Sequence, residues 1–249
     1  ALEPVWKRNR VGKLLLVFSA KGGTGKTTLA GHLAVQAHRA GAGPVVLIEA
    51  DGMGTLADWW DARREDDISF VESHMGRLAA DIAALREDGY RLALVDTPTA
   101  NPIAAQTLLQ QADLVVIPVG AGPHDLKAVG AMLDVCDRVG KPAVFVMNSV
   151  RDEDRMSELV AAALSQHGHV VPQWIAHEAA IAPAMAQGMT VMEHRPSCDV
   201  SLAFADLWDL LCQRADSNFR RTVFATPSFG GSAAVPRQAP IGFGRRHVA

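Results

Sequence analysis

The sequence has few cysteines and no long apolar run. Its 249 residues include three cysteines, Cys136, Cys198 and Cys212, which lie far apart and form no C-x-x-C pair. This number and spacing argue against a disulfide framework, a zinc site or an iron–sulfur cluster, so the thiols are expected in the core. The sequence shows no run of eighteen apolar residues, no signal peptide and no lipidation motif, which favours a cytoplasmic protein.

The composition and the order of the segments fit one large α/β domain. Hydrophobic residues make up 49% of the chain, and apolar runs alternate with helical stretches. This alternation predicts a doubly wound, mostly parallel sheet with helices on both faces. The domain is expected at 13–216, after a basic segment, 1–12, and before a Gly/Pro/Arg-containing flexible tail, 217–249. The predicted strands are 14–19, 44–49, 68–71, 91–96, 113–119, 142–147 and about 170–175; the predicted helices are 26–40, 54–64, 75–88, 102–111, 124–138, 152–167, 178–187 and 199–214.

A glycine-rich turn lies between the first predicted strand and the first predicted helix. It reads Lys21-Gly22-Gly23-Thr24-Gly25-Lys26-Thr27-Thr28. The glycines let backbone N–H groups converge on phosphate oxygens, and the helix N-terminus adds the positive end of its dipole. Lys26 adds a point charge, and the Thr27 hydroxyl is suited to bind Mg²⁺. The segment therefore predicts a nucleotide phosphate site.

Two later apolar runs end in acidic residues. The run 44–48 leads into Glu49 and Asp51, and the run 92–95 ends at Asp96. In parallel sheets, ligands bind in the crevice at the carboxyl ends of the strands. We therefore expect these carboxylates close to the phosphate loop.

The pattern K-G-G-x-G-K-T-T resembles the deviant Walker A motif of the ParA/MinD family of dimeric ATPases, most closely the small ParA-like partition ATPases. Ala20 stands where the standard P-loop has glycine. The resemblance implies a P-loop NTPase fold, ATP and Mg²⁺ as ligands, and a homodimer that forms on ATP binding. It assigns Lys21 to the nucleotide of the partner subunit in trans and Lys26 to the nucleotide in cis. It assigns nucleotide binding to Gly22, Gly23, Thr24, Gly25, Lys26, Thr27 and Thr28.

The acidic residues resemble further motifs of the same family. Asp51 matches the second Asp of D-x-D-P-Q, which orients the attacking water, and Asp96 matches the Walker B acid. The resemblance thus implies that Thr27 binds Mg²⁺ directly and that Asp51 and Asp96 bind it through water. The chain departs from the family motif at three positions, which puts the geometry of this loop in question: Glu49, Gly52 and Met53.

Three more residues have alternative roles. Asn148 stands where relatives carry an Asn that hydrogen-bonds the adenine ring, and a helix or loop cap is the alternative. Trp59 and Trp60 are adjacent in a predicted helix and cannot face the same side. Either one of them is exposed or lies at an interface, or both are partly buried and cover the edge of the core.

The charge distribution bears on the partners. Residues 217–249 carry a charge of +5, which leaves −8 on the rest of a chain whose total is −3. Because the chain outside the tail is this acidic, DNA binding has to depend on local basic patches. The tail has no apolar helical stripe, so we expect no stable membrane anchor. The candidate DNA-contacting residues are Lys7, Arg8, Arg10, Lys13, Arg151, Arg155, Arg195, Arg220, Arg221, Arg237, Arg245 and Arg246, whereas Glu178 stands about where a small ParA relative has a basic residue.

The resemblance implies a slow ATPase that positions or partitions a plasmid, a chromosome locus or a protein assembly on nonspecific DNA. It also implies a ParB-like or cargo-adaptor activator, and nucleoid association if DNA is bound. Three alternatives remain: a MinD-like membrane ATPase, an amide ligase or carboxylase of the dethiobiotin-synthase kind, and a nonhydrolysing nucleotide-dependent interaction module.

Overall fold

The structure is a computed structural model that describes residues 12–99, 105–120, 123–151 and 155–224. Side chains are described in these ranges except at 123–128 and 216–224. No helix in the described ranges is long and apolar enough to cross a membrane.

An eight-stranded parallel sheet forms the centre of the molecule. The strands are β1 Lys13–Val17, β2 Val45–Glu49, β3 Ser69–Glu72, β4 Leu92–Asp96, β5 Leu114–Val119, β6 Ala143–Val150, β7 His169–Val170 and β8 Ile175–Ala176. Their order in the sheet is β3-β2-β4-β1-β5-β6-β7, and β8 pairs with the far end of β6. Nearly every residue of β1, β2, β4 and β5 is buried, as continuous apolar runs covered on both faces should be. The predicted doubly wound fold is confirmed.

Helices cover both faces of the sheet. The helices are α1 Lys26–Arg39, α2 Thr55–Ala62, α3 Leu78–Glu87, α4 Gln106–Leu109, α5 Pro123–Val139, α6 Arg155–Ser165, α7 Ile181–Met185, α8 Val191–His194 and α9 Asp199–Phe224. One hydrophobic core joins the sheet to α1, α2 and α9, and a second joins it to α3, α4, α5 and α6. Cys136 is buried, and Cys198 and Cys212 are partly buried against the first core.

The last third of the chain differs from the sequence-based assignment. The strand predicted near 170–175 is two short strands, β7 and β8, with Pro172 between them. Proline cannot donate a ladder hydrogen bond, which accounts for the break. The short helix α8 was not predicted, and α9 continues to Phe224 instead of ending at 214. The predicted helices 102–111 and 152–167 begin outside the described residues.

The register of the sheet aligns three strand ends. Val17 of β1 lies beside Asp96 of β4, and Asp96 lies beside Glu49 of β2. The loop that follows β1 and the two carboxyl groups therefore meet at one edge of the sheet, which we call the nucleotide edge.

Candidate nucleotide site

The loop between β1 and α1 has the backbone geometry of a phosphate-binding turn. Gly23 and Gly25 have φ values of +74° and +86°, in the left-handed region that glycine adopts without strain. Gly25 directly precedes α1 and has no side chain with which to cap it. The first N–H groups of α1 have no partner within the helix, so an anion is their natural acceptor.

Asn148, at the end of β6, supports this loop. Its Nδ2 donates a hydrogen bond to the carbonyl of Thr24 at 2.8 Å. A Cβ added at Gly25 would collide with the same Nδ2. Asn148 therefore holds the loop through its side chain, as the cap alternative drawn from the sequence would have it. A contact between Asn148 and an adenine ring stays a prediction.

Lys26 and Thr27 begin α1 and face the nucleotide edge. The Lys26 ammonium donates to Thr99 Oγ1 at 2.9 Å, and the Thr27 hydroxyl donates to Asp96 Oδ2 at 2.6 Å. Burial lowers the pKa of Lys26, while the nearby carboxylates of Asp96 and Asp51 partly oppose that shift.

The two strand-end carboxyl groups are almost fully buried. Burial raises the pKa of Asp96 to about 7, although the hydrogen bond from Thr27 opposes this shift. Burial, together with the neighbouring Asp51, also raises the pKa of Glu49. Glu49 Oε2 accepts a hydrogen bond from the Ala57 N–H at 2.9 Å, so it stabilises the first turn of α2.

Three buried side-chain oxygens at this edge have no hydrogen-bond partner among the described residues: Thr24 Oγ1, Glu49 Oε1 and Asp96 Oδ1. An unsatisfied buried polar atom costs about 1–3 kcal/mol, so such a group points to a missing ligand. No cluster of three or more candidate metal-ligating side chains occurs in the described ranges. The Thr27 hydroxyl and the Asp96 carboxylate suit Mg²⁺, which binds proteins through one or two carboxylates together with substrate phosphates.

Asp51 lies on the loop between β2 and α2. Its Oδ1 accepts a hydrogen bond from the Met53 N–H at 2.9 Å, which closes a tight turn. Gly52 and Gly54, on either side of Met53, have φ values of +67° and +74°. The Met53 side chain is 77% exposed. Lys21 lies half-buried on the phosphate loop.

A cleft of about 210 Å³ opens beside the phosphate loop. Residues 23–25 and Thr28 form one wall, and residues 148–149, 176–178 and 181–182 form the other. The cleft therefore adjoins the phosphate loop on the side of β6 and β8.

A second polar network ties α2 to the chain before α9, and we call it the clamp: Trp59, Arg63, residues 188–193 and His32. Arg63 donates hydrogen bonds to Asp67, to Glu193 and to the carbonyl of Gly188, at 2.7–3.1 Å. Trp59 Nε1 donates to the carbonyl of Met189 at 3.1 Å.

His32 and Glu193 complete the clamp. The His32 Nδ1 lies 2.8 Å from the carbonyl of Thr28, and its Nε2 accepts from the Val191 N–H at 3.0 Å. Burial opposes ionisation of Glu193, but hydrogen bonds from Arg63 and Thr190 lower its pKa. Sequence reasoning missed this network, although the spacing of Thr190 and Glu193 is the signature of the capping box that the structure shows.

The tryptophan pair covers the edge of the core. Trp59 is buried beside Arg63, whose guanidinium carbon lies 5.3 Å from the ring centroid. Trp60 is half-buried and stacks on Phe70 of β3, with 5.4 Å between ring centroids.

The described candidate DNA-contacting residues lie at both ends of the sheet. Arg151 and Arg155 are exposed near the end of β6, whereas Lys13 lies at the opposite end of the sheet. Arg195 lies 3.4 Å from the Glu178 carboxylate. Arg220 and Arg221 belong to α9, but their side chains are not described. Six further candidates lie outside the described residues: Lys7, Arg8, Arg10, Arg237, Arg245 and Arg246.

A sequence profile of the CobQ/CobB/MinD/ParA nucleotide binding domain, CbiA, matches residues 15–191. The chain belongs to this family. The ParA/MinD resemblance drawn from the phosphate loop is thereby confirmed. A comparison with curated protein sequences gave no significant match.

Solved structures of family members share the fold. MinD from Pyrococcus horikoshii, complexed with Mg-ADP, has 17% identity and a TM-score of 0.66, covering 83% of this chain and 98% of its own. A Cyanothece McdA variant in complex with ATP has 16% identity and a TM-score of 0.65, and the match covers 82% of this chain and 97% of McdA. A plasmid partition protein from Borrelia burgdorferi bound to AMPPNP has 13% identity and a TM-score of 0.60, and the match covers 85% of this chain and 99% of the Borrelia protein.

Proposed function

We propose that the protein is an ATP- and Mg²⁺-dependent ATPase that dimerises when it binds ATP and positions a cargo on nonspecific DNA. The observation that carries the proposal is a set of buried oxygens, on Thr24, Glu49 and Asp96, that have no partner among the described residues and lie beside a glycine-rich turn at a helix N-terminus. The structural neighbours support the choice of ligand, since their structures contain Mg-ADP, ATP or AMPPNP.

Each residue of the site then has a defined task. Lys26 and the loop N–H groups hold the phosphates in cis. Thr27, Asp51 and Asp96 would hold Mg²⁺, which neutralises phosphate charge. Asp51 positions the attacking water, and Lys21 from the second copy stabilises charge as the bond between the β- and γ-phosphates breaks.

Phosphate release tests the catalytic part of this proposal. The wild type should release phosphate slowly, and Asp51→Ala should retain ATP binding but lose turnover by about 100-fold or more. Asp58→Ala is the matched control, since Asp58 is an exposed carboxylate on α2. Turnover by Asp51→Ala at the native rate would remove Asp51 from the chemistry.

Light scattering with a nonhydrolysable ATP analogue tests the dimer. The wild type should dimerise with the analogue, whereas Lys21→Ala should bind it as a monomer because the proposed Lys21 contact exists only between subunits. Normal dimerisation by Lys21→Ala would contradict the trans assignment.

A gel-shift titration with random-sequence duplex tests DNA binding. Binding should require ATP and weaken steeply with salt, because each neutralised phosphate releases counterions. Since α9 reaches Phe224, truncation after this residue preserves the helix and removes three arginines, Arg237, Arg245 and Arg246. The truncated protein should bind more weakly and keep its ATPase activity; the absence of an ATP-dependent shift at any salt concentration would argue against positioning on DNA.

One observation favours a nonhydrolysing interaction module as the second candidate. Asp51 Oδ1 is held by the Met53 N–H, and Glu49, Gly52 and Met53 stand where the family motif has other residues. ATP-dependent dimerisation without phosphate release, alone or with DNA, would select this candidate.

A further inference from the structure

The Lys26 ammonium has a hydrogen-bond partner that lies outside the phosphate loop. Its Nζ donates to Thr99 Oγ1 at 2.9 Å, and Thr99 belongs to the chain that follows β4. A Cβ added at Gly22, in the phosphate loop, would lie 3.9 Å from the same oxygen. The Thr99 side chain therefore binds the loop lysine and borders the loop backbone.

The segment that leads to Thr99 is fixed to the sheet. Thr97 is fully buried, and both its N–H and its hydroxyl donate to the carbonyl of Val17 at the end of β1, at 3.4 and 2.8 Å. Pro98 follows, and its ring locks its own φ and favours an extended backbone at Thr97. The Thr99 hydroxyl thus reaches the phosphate loop from a backbone with little conformational freedom.

The carboxylates near Lys26 compete for its ammonium. The lysine side chain is a flexible four-carbon chain, and the charges of Asp96 and Asp51 both attract it. Asp96 Oδ1 is buried and has no hydrogen-bond partner among the described residues. If the ammonium moved onto Asp96, it would be lost to the phosphates and would occupy a proposed Mg²⁺ ligand at the same time.

The hydrogen bond to Thr99 leaves the ammonium able to bind phosphate. An ammonium group has three N–H donors, and Thr99 accepts one of them, which leaves two for phosphate oxygens. Lys26 is nearly buried, whereas Thr99 is exposed. A ligand from solvent therefore reaches the ammonium on the side where Thr99 holds it.

We propose that Thr99 is a positioning residue for nucleotide binding, whose hydroxyl holds the Lys26 ammonium beside the phosphate loop and away from Asp96. This inference rests on the proposed nucleotide function of the same site and adds to it a residue on the chain after β4. Because the hydrogen bond exists before the nucleotide binds, the lysine side chain loses less conformational freedom on binding.

Calorimetric titration with ATP and with inorganic triphosphate tests the proposal. Thr99→Val keeps the shape of the side chain and removes the hydroxyl, so both ligands should bind about five- to tenfold more weakly, the scale of one hydrogen bond. The two losses should be equal, because Lys26 meets phosphate groups and not the nucleoside. Thr99→Ser restores the hydroxyl and should bind both ligands within about twofold of the wild type.

Two controls separate positioning from folding. Thr99 is exposed, so the melting temperature of Thr99→Val should stay within about 2 °C of that of the wild type. Thr107→Val makes the same substitution at an exposed threonine of α4 and should leave the affinity for both ligands unchanged.

The outcomes are distinct. Four results would overturn the inference and leave the proposed nucleotide site in place: unchanged or tighter binding by Thr99→Val, a loss for ATP alone, an equal loss in Thr99→Ser, or a loss accompanied by a lower melting temperature. A wild type that binds neither ATP nor triphosphate would overturn the proposed function, and this inference with it.

Discussion

The nucleotide edge and the clamp are both polar and buried, but they differ in how completely their groups are paired. At the nucleotide edge, Asp96 keeps one buried oxygen without a partner in the described chain, and burial raises its pKa to about 7. In the clamp, Glu193 accepts hydrogen bonds from Arg63 and Thr190, which lower its pKa. A carboxylate paired in the free protein stabilises the fold, whereas one left unpaired is available to a ligand.

The two regions also touch. His32 lies on α1, one turn beyond the phosphate loop, and contacts the clamp through Val191. Glu49, at the nucleotide edge, binds the first turn of α2, which ends next to Arg63. The clamp, whose polar groups are paired, therefore supports α1 and α2, the helices that border the nucleotide edge.

The largest effect is expected at the clamp. Arg63→Ala would leave Asp67 and Glu193 without their guanidinium partner in a nearly buried setting, since the Arg63 side chain is 1% exposed. We expect the free energy of unfolding to fall by about 3–5 kcal/mol in urea denaturation. Arg64→Ala, at an exposed neighbour, is the control and should cost less than about 0.5 kcal/mol. A loss below about 1 kcal/mol for Arg63→Ala would mean that the clamp does not stabilise the fold.

The pH dependence of stability should report on His32. Burial lowers its pKa to about 4 from an ordinary 6.5, so the unfolded chain takes up a proton at higher pH than the folded protein. The resulting contribution of neutral His32 to the free energy of unfolding is up to about 3 kcal/mol. It is complete above pH 6.5 and is lost as the pH falls towards 4. In urea denaturation between pH 7 and pH 4, the free energy of unfolding should fall less steeply for His32→Gln than for the wild type. An identical dependence on pH in the two proteins would show that His32 is not the titrating group.

A smaller effect of opposite sign is expected at the nucleotide edge. Because the pKa of Asp96 is raised from 3.8 to about 7, stability without nucleotide should fall as the pH rises through this interval. Asp96→Asn should raise the free energy of unfolding at pH 8 by roughly 1–2 kcal/mol. It should also weaken the effect of Mg²⁺ on ATP affinity by about tenfold or more. An Asp96→Asn protein that is less stable than the wild type without nucleotide would show that the Asp96 carboxylate stabilises the fold.

The nucleotide edge could be predicted from sequence because its parts are local. The phosphate loop is contiguous, and Glu49 and Asp96 come directly after apolar runs whose carboxyl ends meet in any parallel sheet. The clamp could not, because Arg63 and Glu193 lie 130 residues apart and His32 and Val191 lie 159 apart. The support that Asn148 gives to the loop likewise depends on a contact with Thr24, 124 residues away.

Titration calorimetry of ATP with and without Mg²⁺ is the most direct test that the unpaired groups of the nucleotide edge belong to a nucleotide. The wild type should bind ATP at one site per chain and more tightly with Mg²⁺. Lys26→Ala should lose at least about 100-fold in affinity, since an almost buried ammonium at the phosphate loop would be removed. Binding of ATP by Lys26→Ala at the native affinity, or no binding by the wild type under either condition, would contradict the account.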